Sequence, residues 1–214
     1  ILTRKYPVFD WWDSRTLEMK NGRFQASNNP DFSYATTVYT IKEAPEMKYH
    51  TIKIDKQYRY WRYVAAETSY GDIAEIEFIS FQDKPISGNI IGTKGFDPEF
   101  DKAAVFDNKP LTYYQGATSG NNWVGMDFGE PKTVKTIRFL GRNDDNFINH
   151  DDNYELYYWK NNQWISLGKR KDTDKSNTLI YKNAPMGVLF LLRNHTKGRE
   201  ERVFTYMNNQ QIWW

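Results

Sequence analysis

Apolar and polar positions alternate along much of this chain with the period of two that a half-buried strand requires. Between Ile73 and Phe78, Ala74, Ile76 and Phe78 alternate with Glu75 and Glu77. Tyr58–Val64 is aromatic and β-branched and lacks Gly and Pro, again the composition of a strand. The same reading predicts strands at Ala35–Ile41, His50–Ile54, Asn122–Phe128, Thr133–Leu140, Tyr154–Lys160, Gln163–Leu167, Thr178–Tyr181, Gly187–Arg193, Glu201–Tyr206 and Gln210–Trp214. Phe100–Phe106 is the one helical candidate, a short turn. Many short strands joined by Gly, Asn, Asp and Pro turns predict an all-β protein, an antiparallel β-sandwich.

Asp83-Lys84-Pro85 breaks the pattern and places a boundary near Gln82–Ser87. The expected organisation is a partial β unit over residues 1–82 and a complete one over 83–214. A weak internal echo links the two sides: Trp61-Arg62-Tyr63 followed by the strand with Glu75, and Leu191-Leu192-Arg193 followed by Glu201-Arg202-Val203-Phe204. If successive strands of the second unit run up and down, tight turns at Glu130-Pro131-Lys132, Asn161-Asn162 and Asn183-Ala184-Pro185 gather at one end. The long polar loops 112–121, 142–153, 168–177 and 194–200 gather at the other. Loops collected on a rigid scaffold are where binding residues concentrate.

Composition narrows the chemistry. The 214 residues carry 29 Lys+Arg and 27 Asp+Glu, a net charge of +2, so no basic arm for nucleic acid or polybasic membrane patch is expected. Cysteine is absent, which excludes disulfides, a thiol nucleophile and Cys-ligated metal sites. No apolar run is long enough to span a bilayer as a helix, and Ile1-Leu2-Thr3-Arg4-Lys5 does not open a signal peptide. Without an initial Met the chain reads as a piece of a larger protein. Aromatic residues make up 17% of a chain whose mean hydropathy is −0.80. Those rings are either core or a binding surface.

The loops hold the candidate chemistry. Residues 142–153 combine Arg142, Asn143, Asp144, Asp145 and Asn146 with one ring, Phe147, and one imidazole, His150. Tyr113, Tyr114 and Gln115 place rings beside an amide, and the loop after residue 193 carries His195. A sugar has apolar C–H faces and a rim of hydroxyls. It requires a ring to stack on and planar amide, carboxylate or guanidinium groups to hydrogen-bond. The same Asn/Asp run is also ordinary turn chemistry, and Arg142 could instead pin its loop to a carboxylate. Asp144, Asp145, Asp151 and Asp152 could supply a glycosidase pair, but they share one hydrophilic loop, and no nucleophile, base and stabiliser set is present. The expectation is therefore no catalysis. Asp107 and Thr112, with carbonyls of the turn between them, could hold calcium, or form an Asx turn alone. Asn194-His195-Thr196 is a glycosylation sequon, relevant only in a secretory host.

Several ordered motifs resemble discoidin domains, also called coagulation factor 5/8 type C domains, of the galactose-binding-like fold. They are Lys102–Asn108 followed by Leu111-Thr112-Tyr113-Tyr114, Asn122–Gly129 with its Trp and Asp-x-Gly, Val134–Arg142, Tyr154–Tyr158 through Trp164, and Ala184–Arg193. The resemblance covers roughly residues 88–214, and residues 23–80 are similar to the later half of a second such domain, closing on the strand with Glu75. It implies a β-sandwich jelly roll that binds at its loop end. Bacterial members are mostly non-catalytic carbohydrate-binding modules attached to exported enzymes. By this resemblance, the loops with Tyr113–Gln115 and Arg142–Asn146 line the sugar site, and the family's calcium turn falls at Asp107 and Thr112. Many members close with an acidic residue that helps hold calcium, whereas amides stand at the end of this chain.

The expected function is a glycan- or polysaccharide-binding module of a larger exported protein, periplasmic, cell-surface or extracellular. The alternative is a structural or interaction module that docks or spaces a catalytic domain, a glycosidase or a transglutaminase-like enzyme. Membrane binding would require apolar loop tips, for which Phe147-Ile148 is the single candidate pair.

Overall fold

The computed structural model describes residues 1–7, 16–208 and 210–214. It is all-β with antiparallel pairing throughout, and it divides into two compact units, Asp10–Asp145 and Ile1–Phe9 with Asn146–Trp214.

The 10–145 unit holds β1 (Arg23–Ser27), β2 (Thr36–Thr40), β3 (His50–Val64), β4 (Ile73–Ile79), β5 (Asn89–Gly92) and β6 (Trp123–Gly141), with two short 3-10 helices at Pro98–Phe100 and Lys102–Phe106. Its sheet runs β2-β1-β3-β6-β4, and β5 also pairs with β6. Two long strands replace four expected short ones. His50–Ile54 and Tyr58–Val64 are a single strand, and Glu130-Pro131-Lys132 does not reverse the chain but lies inside β6. The up-and-down count of loops at one end therefore does not hold.

The interruption that the Gly and Pro produce is a change of register. Lys132 faces Tyr58 and Asp127 faces Tyr60, so residues 128–131 stand opposite Arg59 alone. Arg59 clamps this bulge with two hydrogen bonds to the Asp127 carboxylate, at 2.7 and 2.9 Å. Asp127 Oδ1 also accepts the Gly129 amide at 2.8 Å, where φ is +78°. The Asp-x-Gly motif thus builds a bulge, which bends a strand without ending it.

The boundary expected near residue 82 falls inside this unit. β6 is flanked by β3 and β4 from before that point and by β5 from after it. One core fills the unit, with Phe24, Trp61, Tyr63, Phe78, Tyr114 and Phe139 among its buried rings.

The other unit holds β7 (Tyr154–Lys160), β8 (Gln163–Arg170), β9 (Phe190–Asn194), β10 (Arg199–Glu200), β11 (Phe204–Met207) and β12 (Gln210–Trp213). Its sheet runs β12-β11-β9-β7-β8, with β10 on β9. Tyr154, Leu156, Phe190, Leu192 and Phe204 form its core, closed by Leu2 and Leu179. Thr178–Tyr181, expected as a strand, contributes only the bridge between Leu179 and Leu2.

Candidate ligand-binding site

The 10–145 unit gathers polar and aromatic side chains around Arg142, the residue that follows β6. Its Nε donates to both oxygens of Asp144, at 3.0 and 3.1 Å. Nη1 donates to Asp72 Oδ1 and to Gln115 Oε1, each at 3.3 Å. The guanidinium lies over the Tyr113 ring, 4.1 Å from its centroid. Burial alone would lower the Arg142 pKa, but the Asp144 and Asp72 carboxylates outweigh it and raise it. Asp72 is fully buried, and its carbonyl accepts the Arg142 amide at 2.9 Å. Arg142 therefore serves first as a pin between residues 70 positions apart.

The aromatic side continues outward from Tyr113. Phe100 packs on it with centroids 4.7 Å apart, and Phe96 stacks on Phe100 at 4.8 Å, nearly parallel. Phe96 is 52% exposed, so the stack ends in a ring presented to solvent. Backbone bonds hold it in place: Phe96 N to Gln115 O at 3.0 Å and Gln115 N to Phe100 O at 3.1 Å. Neither Phe96 nor Phe100 was identified from the sequence as a site residue. Asp72 offered no signal, since only the tertiary fold brings it to Arg142.

Other expected site residues are placed differently. Tyr114 is fully buried, with its hydroxyl 2.6 Å from Thr93 Oγ1, so it offers no face to a sugar. Tyr114 is held inward by its isolated bridge to Ile73, whereas its neighbour Tyr113 is half-buried between Arg142 and Phe100. Asn143 is buried and acts within the turn, donating to Pro110 O at 2.7 Å and accepting the Asp145 amide at 2.9 Å. Asp144 and Asp145 occupy consecutive left-handed conformations, which Asp tolerates. Turn formation thus accounts for much of the Asn/Asp run.

Asn146, Phe147, His150 and His195 belong to the other unit. Asn146 is buried, with Oδ1 accepting the Lys5 and Tyr6 amides and Nδ2 donating to Tyr6 O. Phe147 and Ile148 are fully buried, which removes both a stacking ring and the apolar loop tip. His150 is half-buried beside Asp151, and His195 Nε2 lies 2.7 Å from Glu155 Oε2.

The 107–112 turn is rich in oxygen. Thr112 Oγ1 lies within 3.1 Å of both Asp107 carboxylate oxygens and 2.8 Å from Lys109 O. Glu75 of β4 faces this turn. It is buried, its Oε1 has no partner, and its carboxyl is pushed up to about 8, first by burial and then by the Asp107 and Glu77 charges. Glu75 accepts the backbone amides of Asn108 and Lys109 and lies within the field of Asp107, so a hard cation such as calcium at this turn would compensate the two acids. Among the described residues, no group of three acidic, His or Cys side chains gathers in one place, so a site of His or several acids is not seen.

The fold and the site describe an all-β module with a ligand-accessible ring and a polar cluster. Residues 89–190, from the start of β5 to the start of β9, match the family model of the F5/8 type C domain. This is the discoidin family that the motifs resemble, and the two antiparallel sheets agree with its β-sandwich class. Domains of this family are commonly ligand-binding modules, generally non-catalytic and typically extracellular. No curated protein and no solved structure matches the chain. Among the described residues, no helix is long and apolar enough to cross a membrane.

Proposed function

We propose that this chain is a non-catalytic carbohydrate-binding module of a larger exported protein, which it attaches to a glycan or polysaccharide. The observation that carries the proposal is the stack Phe96–Phe100–Tyr113 beside the Arg142 cluster. It supplies an exposed ring for a pyranose face, with the Gln115 amide and the Asp144 carboxylate as planar groups for its hydroxyls. The loop acids favour binding over catalysis. Asp144 is paired with Arg142, and Asp152 accepts from Tyr154 and Asn194, so both are engaged in holding the loop. Glu75, Asp107 and Thr112, with turn carbonyls, would hold calcium, whose charge would compensate the buried carboxylate and stiffen the turn before Tyr113.

The test is binding to a glycan array and titration with the best hits, using Phe96→Ala and Gln115→Ala, which spare the core and the Arg142–Asp72 pair. At least tenfold weaker binding in each, with unchanged melting, is expected. Binding to no glycan, or binding that both variants retain in full, refutes the proposal.

A further inference from the structure

In the unit formed by Ile1–Phe9 and Asn146–Trp214, the core face of the sheet is closed by chain segments. Leu2 and Leu179 lie across it, joined by two backbone hydrogen bonds of 2.9 Å each. Beside this bridge a cavity of about 420 Å³ remains. Leu156 of β7, Phe190 of β9 and Phe204 of β11 line it from the sheet, and all three are buried. The turn Ala184-Pro185-Met186 lines it from the opposite side, with Met186 largely exposed. An apolar cavity of this volume is the size of a small-molecule site.

The polar groups around the cavity indicate which molecule it takes. Ile1 and Tyr206 also line a second hollow, of about 440 Å³, together with Thr3, Arg4, Gln210 and Gln211. An apolar compartment and a polar one thus share a wall. Arg4 has no ion-pair partner among the described residues, and no Asp or Glu lines either hollow. Across β11 and β12, Gln211 pairs with Tyr206 and Trp213 with Phe204, so Gln211 and Trp213 share the core face with Phe204. There the Gln211 amide nitrogen and the Trp213 indole nitrogen are buried without a partner, and so is the Tyr181 hydroxyl of the cavity wall. An amide nitrogen and an indole nitrogen can only donate, and a hydroxyl carries a proton to donate as well. Buried donors without acceptors oppose folding, and native proteins seldom keep several together. A ligand that brings acceptors and negative charge meets both the donors and Arg4. A peptide would bring backbone N–H groups beside donors that cannot accept them, and a cationic amphiphile would meet the charge of Arg4.

We propose that this unit binds a small amphiphile whose apolar chain fills the cavity and whose anionic head, a carboxylate or a phosphate, meets Arg4 and Gln211. The Phe96–Arg142 cluster belongs to the other unit, so the two sites can be tested apart. The test is titration of the whole chain, by calorimetry and Trp fluorescence, with dodecanoate, monododecyl phosphate, dodecanol and dodecyltrimethylammonium, each below the concentration at which it aggregates. At least one of the two anions is expected to bind tenfold or more tightly than the alcohol and the ammonium, and the better of the two identifies the head group. Arg4→Gln is expected to weaken anion binding tenfold or more and to leave dodecanol binding unchanged. Ala184→Trp, which puts a large side chain at an exposed turn position on the cavity wall, is expected to weaken the binding of every probe tenfold or more. Melting curves of both variants verify the fold, and Phe96→Ala is expected to bind the anion in full. Binding of neither anion, equal affinity for dodecanol and the anions, or full anion binding by Arg4→Gln or by Ala184→Trp overturns the proposal. So does loss of anion binding in Phe96→Ala, which would place the amphiphile at the other site.

Discussion

Replacing Arg142 with Ala removes the guanidinium that faces the buried Asp72 carboxylate, together with its contacts to Asp144, Gln115 and the Tyr113 ring. Breaking one side of a buried ion pair costs up to about 3–5 kcal/mol, the full amount only where no other group compensates the charge left behind. There is a natural ceiling to this penalty. Asp72 can take up a proton, and doing so at pH 7 costs about 1.4 kcal/mol for each unit above its ordinary pKa near 4, roughly 4 kcal/mol. The expected loss at pH 7 is therefore at most about 4 kcal/mol. Its pH dependence follows from the same reasoning. In the variant the folded-state pKa of Asp72 is raised, so the penalty grows with pH above the unfolded value and shrinks as pH falls toward 4. Urea unfolding followed by Trp fluorescence, at pH 7 and pH 4.5, measures both. An Asp72→Asn/Arg142→Ala double variant should recover more than 1 kcal/mol relative to Arg142→Ala, since the amide needs no counter-charge. A loss below about 1 kcal/mol that is the same at both pH values would refute the role of Arg142 as a pin.

Three further outcomes follow from other parts of the molecule. Glu75→Gln should raise metal-free stability at neutral pH by about 2–3 kcal/mol, since a carboxyl held up at about 8 opposes folding once pH exceeds its ordinary range. It should also abolish any rise in melting temperature with added calcium; an equal calcium response in both proteins would remove Glu75 from the cation site. Gly125→Ala should destabilise by about 3 kcal/mol or more in denaturant titrations, because its Cβ would lie 2.0 Å from Trp61 O in the neighbouring strand; a change under 1 kcal/mol would contradict that close approach. Glu155 is held down at about 2, chiefly by the Ser166 hydroxyl, with Tyr157 and His195 assisting. A depressed folded pKa gives stability that is present above about pH 4.5 and lost as pH falls toward 2. Acid unfolding of Glu155→Gln should accordingly be flatter than that of the parent across that window, and superimposable curves would count against it.

Much of the strand content was legible because burial on one face imposes period two on a sequence, as it does at Tyr154–Lys160; Ile73–Ile79 alternates in sequence as well, although both its faces are buried from Ile73 to Ile76. Turn chemistry was legible for the same local reason, since Asn161, Asn162 and Asn183 take left-handed conformations that few side chains tolerate. The continuity of β6 was not. Gly129 and Pro131 signal an interruption, but whether the chain reverses or bulges depends on Arg59, which reaches Asp127 from another strand. The site divides in the same way. Tyr113, Gln115, Arg142 and Asp144 were identifiable as residues with the right chemistry. Tyr114, Asn143, Asn146 and Phe147 share that chemistry and are buried, because the side on which a residue lies is set by register and loop path.

The sequence by itself determined an all-β chain without cysteine chemistry, rich in rings, with discoidin motifs in order, since these rest on composition and on patterns local to a few residues. Only the tertiary structure decided that Asp72 faces Arg142, that Glu75 faces the 107–112 turn, and that Arg4 and Gln211 meet beside the cavity lined by Leu156 and Phe204. Each of these joins residues distant along the chain, through strand pairing and burial that are properties of the whole fold and leave no local signature.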